Sequence, residues 1–178
     1  MTHDALFQLG MDLEAFEPRS TAQTEENTLR PEAANANGHT VTGPLDHFIE
    51  DDDGTRHAGS HLIIDLYDAE RLNDLEYIQS TMLECVEKAG ATLLHIHLHP
   101  FEPNGVSGVA VLAESHISVH TWPEAGYAAF DVFMCGDAKP ELCIDILAKA
   151  FNAGQTEVSN LRRGEQVAEM LAIKPAAA

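Results

Sequence analysis

The sequence predicts an α+β fold, a two-layer sandwich in which an antiparallel sheet carries two helices on one face. Three observations lead to it. Two stretches, 73–90 and 137–154, space their apolar residues three and four apart and end in glycine. Six shorter runs, too short for helices and rich in apolar or β-branched residues, lie before, between and after them. The middle runs are joined by connections of hairpin length, which favours antiparallel pairing over the long crossovers that parallel strands need.

Taken in order, the folded body is expected to begin near Gly59. His61 to Tyr67 reads as a mostly apolar strand with Asp65 inside it, and Asn73 with Glu76 three residues on forms a helix-start box. In the helix that follows, Leu75, Ile78, Met82, Cys85 or Val86, and Ala89 share one face, and Gly90 stops it where a left-handed residue is wanted. Thr92 to Leu98 alternates, with His95, His97 and His99 on one face and Leu94, Ile96 and Leu98 on the other. Pro100 to Gly105 is a turn. Val106 to Leu112, His116 to Thr121 and Ala128 to Met134 are strands, the last two separated by the turn Trp122 to Gly126. Asp137 and Pro140 open the second helix, whose apolar face is Leu142, Cys143, Ile146, Leu147 and Ala150, and Gly154 is expected to close it. Thr156 to Leu161 supplies a last strand. The sheet face away from the helices needs cover, from the N-terminal segment or a second subunit.

Charge divides the chain. The 178 residues carry a net charge of −19, and residues 1–54, with twelve acidic and two basic side chains, account for −10 of it. Within that segment Leu6, Leu9, Leu13 and Phe16 recur at helical spacing, Glu17 to Pro44 resembles a solvated linker, and Glu50 to Asp53 reads as a solvated approach to the domain. The expected organisation is an acidic, largely flexible extension at 1–54, a domain at 55–165 and a loose tail at 166–178. So acidic a chain repels nucleic acid and anionic membrane and attracts a cationic small molecule. No apolar run reaches eighteen residues, and Met1 to Phe16 lacks the Lys or Arg of a signal peptide, so a cytoplasmic protein is expected. Cys85, Cys135 and Cys143 have no metal-type spacing and read as free thiols. The His95, His97, His99 row lacks nearby Asp or Cys to complete a tetrahedral set; no metal is expected, and the row reads as an exposed or interfacial strand face.

The chemistry concentrates between Ser107 and Cys135. Two hydroxyls (Ser107, Ser115), two imidazoles (His116, His120), two carboxylates (Glu114, Glu124) and a thiol (Cys135) occur in and around strands that otherwise read as buried, where polar side chains are costly without a partner or a task. A nucleophile, a base and an acid can converge here. The nucleophile elbow Gly-x-Ser-x-Gly of serine hydrolases is absent. Cys135 with His120 is a possible thiol nucleophile and base, although no oxyanion-hole motif accompanies them.

The run Ala113-Glu-Ser-His-Ile-Ser-Val-His-Thr-Trp-Pro-Glu124, preceded by Gly-Val-Ser-Gly at 105–108 and followed by Gly-Tyr-Ala-Ala-Phe-Asp-Val-Phe-Met-Cys-Gly at 126–136, resembles the prokaryotic S-adenosylmethionine decarboxylase proenzymes. The likeness extends from about Gly59 to Asn152 and includes Gly59-Ser-His-Leu, Gly90-Ala-Thr and Pro100-Phe101. The resemblance implies that the chain cuts itself between Glu114 and Ser115: the serine hydroxyl attacks the preceding carbonyl, the ester is eliminated, and the serine remnant becomes a pyruvoyl group. That covalent cofactor forms a Schiff base with the substrate amine and takes up the electrons released with carbon dioxide. By the same resemblance His120 is the processing base, Ser107 a supporting hydroxyl, Cys135 the proton donor to the product carbon, Phe101 the platform for adenine and Glu124 the holder of the ribose hydroxyls. Trp122 adds to the aromatic wall. S-adenosylmethionine would be decarboxylated for spermidine synthesis by a homodimer with active sites near its interface.

Two other functions remain open on the sequence. A pyruvoyl enzyme of this scaffold acting on arginine or ornithine has no obvious use for Phe101 and Glu124. An uncleaved regulatory or metal-binding module built on the histidine row would never cut itself between Glu114 and Ser115. One geometric difficulty also stands: Ser115 and His120, five residues apart, face opposite sides of a regular strand, so a bulge, a twist or the chain break itself is expected to bring them together.

Overall fold

Helix α1 (Leu75–Ala89) shows how the sequence builds the helical layer in this computed structural model, which describes residues 48–167 and 170. The Asp74 carboxylate caps its first turn by accepting the Tyr77 N–H, and Gly90, at φ 72°, takes the left-handed position that lets its own N–H bond back to Glu87 and Val86 carbonyls. Ile78, Met82, Cys85, Val86 and Ala89 form the buried face. The cap is therefore one residue later than the expected Asn73, whose side-chain oxygen instead accepts the Gly105 N–H at 2.8 Å and ties the 101–105 turn to the helix start.

The second helix, α2 (Leu142–Ala150), packs beside α1 and buries Cys143 and Leu147. It ends earlier than expected. Phe151 is its cap residue, fully buried, and Asn152 takes the positive φ of 45°, a conformation that asparagine tolerates better than most side chains. Gly154 is needed for a different reason: a Cβ there would press on the Asp68 side chain.

The strands run β3 (Gly59–Tyr67), β4 (Leu93–Pro100), β5 (Val106–Leu112), β6 (Ser115–Trp122), β7 (Tyr127–Met134) and β8 (Gln155–Arg163). They form one antiparallel sheet in the order β4-β5-β6-β7-β3-β8. The hairpins β4-β5, β5-β6 and β6-β7 are sequence neighbours, and β3 enters between β7 and β8. Period-2 alternation decides the layers. Leu62, Ile64 and Leu66 of β3, Ile117 and Val119 of β6, and Phe130 and Val132 of β7 join both helices in a single core. Their neighbours His61, Ile63, Asp65, His116, Ser118, Ala129, Asp131 and Phe133 point to the other face, which no helix among the described residues covers. The expected α+β sandwich is thus what forms. On the core side, truncating Ile117 or Phe130 to alanine would cost about 2–5 kcal/mol, the ordinary range for emptying a buried site.

One edge differs from expectation. Before β3, Ile49–Glu50 (β1) and Arg56–His57 (β2) pair as a small ribbon. The acidic run at its turn is engaged, because the Asp51 carboxylate meets the Arg162 guanidinium at 2.8 Å and approaches His57 Nε2 at 3.4 Å. At the opposite edge, β4 exposes His95, His97 and His99, and its pairing with β5 is irregular between Leu93 and His95. Gly108, opposite Leu98, is small of necessity, since a Cβ would collide with the Leu98 side chain and the His97 carbonyl. No helix among the described residues is long and apolar enough to cross a membrane. The helical spacing expected at Leu6 to Phe16, the linker to Pro44 and the tail from Lys174 lie outside the described residues.

Candidate active site

The β5-β6 hairpin turns on two residues, Ala113 and Glu114, so the Glu114-Ser115 peptide bond joins the turn to the first residue of β6. Ser115 has φ 145°, a region that residues with a Cβ rarely adopt, and holding it there costs on the order of 1–3 kcal/mol. The surroundings fix both sides of the bond. The Glu114 carbonyl oxygen accepts the Cys135 N–H at 3.0 Å. The Glu114 carboxylate accepts the Thr92 N–H at 2.8 Å and the Thr92 hydroxyl at 3.2 Å, across the chain from the end of α1. A carbonyl polarised by a fixed N–H, next to a serine in a strained conformation, is what attack by that serine requires.

Around Ser115 lie three further groups. His116 Nδ1 is 3.3 Å from Ser115 Oγ. Its ring stands edge-on to those of His61 and Phe133, with centroids 6.3 Å and 6.0 Å away. Burial pushes the His116 imidazole below its ordinary pKa, the nearby His61 adds to this, and the Asp131 charge pulls the other way. Cys135, just past β7, is partly buried; burial and the Glu114 carboxylate raise its pKa, so the thiol keeps its proton at neutral pH. His61 accepts at Nδ1 from Arg163 Nη1 at 3.0 Å, because a guanidinium can only donate, and this leaves the Nε2 proton facing Asp131 Oδ1 at 3.3 Å. Asp131 also accepts from the Ser118 hydroxyl at 3.0 Å.

The remaining sequence candidates gather at the other end of the same strands. Ser107 Oγ and His120 Nδ1 are 2.9 Å apart, as direct cross-strand partners. His99 pairs opposite Ser107, and two residues on the half-exposed Phe101 ring stands edge-on to His99 at 4.9 Å. Trp122, two residues beyond His120, lies against Tyr127 with ring centroids 5.2 Å apart, and the exposed Glu124 sits in the single-turn 3-10 helix Pro123–Ala125.

Ser115 and His120 are therefore not brought together within one chain. The β5-β6 pairing is regular from Ser107 opposite His120 to Leu112 opposite Ser115, so of the bulge, twist or chain break expected to join them, no bulge is present there. Five strand residues at about 3.3 Å each separate them by roughly 17 Å. Cys135, by contrast, is held directly against the Glu114-Ser115 bond. Among the described residues, no group of three or more His, Cys, Asp and Glu side chains is arranged to hold a metal ion, the His95, His97, His99 row included. Sequence reasoning passed over Thr92, His61 and Asp131. The signal for the last two was available, since both are polar residues on the alternate positions of otherwise apolar strands; Thr92 carried none, because only the fold sets it beside Glu114.

Comparison with known proteins shows the family. The family model described as S-adenosylmethionine decarboxylase matches residues 60–164, more than half of the chain. The chain belongs to that family. It is 48% identical over 108 residues to the S-adenosylmethionine decarboxylase proenzyme of Parasynechococcus marenigrum, covering 59% of this chain and 84% of that one. It is 47% identical over 109 residues to the proenzyme of Methanococcus maripaludis, covering 60% and 89%. Among solved structures, it resembles the adenosylmethionine decarboxylase of Aquifex aeolicus with a TM-score of 0.56 and 36% identity, over 60% of this chain and 90% of that one. The matched region contains both ends of the site and omits the acidic N-terminal segment.

Proposed function

We propose that this chain is the precursor of a pyruvoyl-dependent S-adenosylmethionine decarboxylase, that it cleaves itself between Glu114 and Ser115, and that it works as a cytoplasmic homodimer. The observation that carries the cleavage site is the Glu114 carbonyl held by the Cys135 N–H beside a Ser115 at φ 145°. Attack by Ser115 Oγ places negative charge on that carbonyl oxygen, and the Cys135 N–H is already aimed at it. The pyruvoyl group left at residue 115 supplies the electron sink that decarboxylation needs.

The chain's own residues do the rest. The raised pKa of Cys135 keeps Sγ protonated and able to deliver a proton to the product carbon next to residue 115. Phe101 and Trp122 offer aromatic surface for adenine, and Glu124 a carboxylate for the ribose hydroxyls. These, with Ser107 and His120, lie far along the strand from Ser115 of the same chain, and no helix among the described residues covers their sheet face. An isologous pairing of two such faces sets the Ser115 end of one copy against the His120 end of the other, and makes two equivalent sites. Ser107 and His120 then serve the processing of the partner's serine.

Intact mass tests the reading: the purified chain should yield two fragments, one ending at Glu114 and one beginning with a residue lighter than serine at 115. A chain that remains whole under native conditions would refute it.

A further inference from the structure

We propose that His116 is the base for the first step of chain cleavage, taking the Ser115 hydroxyl proton within the same chain, which leaves His120 for the later elimination. The inference rests on the self-cleavage reading and divides it into two steps with separate bases. His116 Nδ1, at 3.3 Å, is the basic group among the described residues within hydrogen-bond reach of Ser115 Oγ, while His120 of the same chain is committed to Ser107 at the far end of β6.

The setting suits a neutral base. The groups facing His116 come from every neighbouring strand. They are Val111 of β5 as its cross-strand partner, Phe133 and Asp131 of β7, His61 of β3, and Ser118 on its own strand. His61 takes its hydrogen bond from Arg163, and the Asp131 carboxylate accepts from the Ser118 hydroxyl and lies 3.3 Å from His61 Nε2. Burial of His116 disfavours its charged form, as its lowered pKa reflects.

The step balances without any outside reagent. Oγ–H gives its proton to His116 Nδ1 as Oγ bonds to the Glu114 carbonyl carbon, whose oxygen takes the electron pair under the Cys135 N–H. The pair then returns, the bond from that carbon to the Ser115 nitrogen breaks, and the imidazolium returns the proton to the departing amine. The product is an ester between the Glu114 carboxyl and Ser115 Oγ, with His116 regenerated. Elimination from this ester requires a different proton, the one on the Ser115 Cα.

Hydroxylamine at neutral pH separates the steps, since it cuts an ester and leaves peptide bonds intact. In freshly synthesised full-length chain, His120→Ala should accumulate the ester and release a 1–114 fragment on hydroxylamine treatment. His116→Ala and His116→Gln should release none, and their cleavage should slow on the order of 10²-fold, the usual contribution of a positioned base. Added imidazole should partly restore cleavage in His116→Ala. A measurement that needs no substitution at 116 guards against misfolding: in the His120→Ala chain, ester formation should fall as pH drops below the ordinary imidazole range. Ester in the His116 variants at the His120→Ala yield, or a pH-independent rate of ester formation, would overturn the assignment of His116. Failure of the unaltered chain to cleave at all would instead refute the proposed function.

Discussion

Ser107 Oγ lies 2.9 Å from His120 Nδ1 across the β5-β6 ladder, and the strand that carries His120 begins with Ser115, five residues before it. The pair is well made, and it is out of reach of the serine of its own chain. A homodimer in which each copy completes the other's site therefore has a direct genetic test. Co-expression of Ser115→Ala chains with His120→Ala chains should restore cleavage, because the mixed dimer holds one site with Ser115 from one chain and His120 from the other. Intact mass should find cleaved His120→Ala chains and uncut Ser115→Ala chains. Absence of cleaved His120→Ala chains from a purified mixed dimer would show that the dyad acts elsewhere.

Ser115→Ala alone should abolish cleavage, since no hydroxyl remains to attack Glu114. Cys135→Ala keeps the backbone N–H that holds the Glu114 carbonyl, so the chain should still cut itself. Turnover of S-adenosylmethionine should then fall about 10²-fold or more with the loss of the proton donor. Carbon dioxide release from carboxyl-labelled substrate, with cleavage scored on the same sample, distinguishes the two variants.

Thr92 holds the Glu114 side chain through both its N–H and its hydroxyl. Thr92→Val removes the hydroxyl and keeps the shape and the N–H. It should cost about 1 kcal/mol of precursor stability, the usual net worth of a single hydrogen bond, and should slow cleavage without stopping it. Thermal unfolding of a Ser115→Ala precursor with and without the Thr92 change provides the stability figure.

Phe101→Ala and Glu124→Gln should raise KM for S-adenosylmethionine more than they lower kcat, because both residues are expected to hold the nucleoside and not the reacting carbon. Neither change should affect cleavage. Steady-state kinetics on fully cleaved enzyme checks this, and arginine should remain a non-substrate throughout.

Tyr127 donates its hydroxyl proton to the Asp65 carboxylate on the uncovered sheet face, and this bond, with burial, pushes the Tyr127 pKa up to about 12. The unfolded chain gives up that proton nearer the ordinary 10. The associated stability is accordingly present below the unfolded value and is lost as pH rises from there through about 12. Tyr127→Phe should flatten the alkaline decline in melting temperature over this window. An unchanged decline would place the alkaline sensitivity in other groups.

Much of this architecture was legible because it rests on local chemistry. The spacing of Ile78, Met82, Cys85 and Ala89 defines one helix face, Gly90 supplies its left-handed stop, and alternation along β3, β6 and β7 assigns each strand a core side. The errors are local as well. Asp74 displaced Asn73 as the cap because the 101–105 turn claimed the asparagine, and Asn152 ended α2 before Gly154 could. In each case a residue of suitable type was recruited by a distant segment.

By itself the sequence determined the sandwich and, through its resemblance to a known family, pointed to the Glu114-Ser115 bond, since periodicity and motif depend only on neighbours along the chain. Tertiary structure decided which of those groups meet. It set Cys135 N–H on the Glu114 carbonyl, Thr92 under the Glu114 carboxylate and His116 beside Ser115, and it sent Ser107 and His120 to the far end of the strand. The reason is the β-ladder register: each residue is paired with a partner tens of positions away, and a strand residue advances about 3.3 Å whatever its side chain. Five positions that look adjacent in the sequence become roughly 17 Å along the strand.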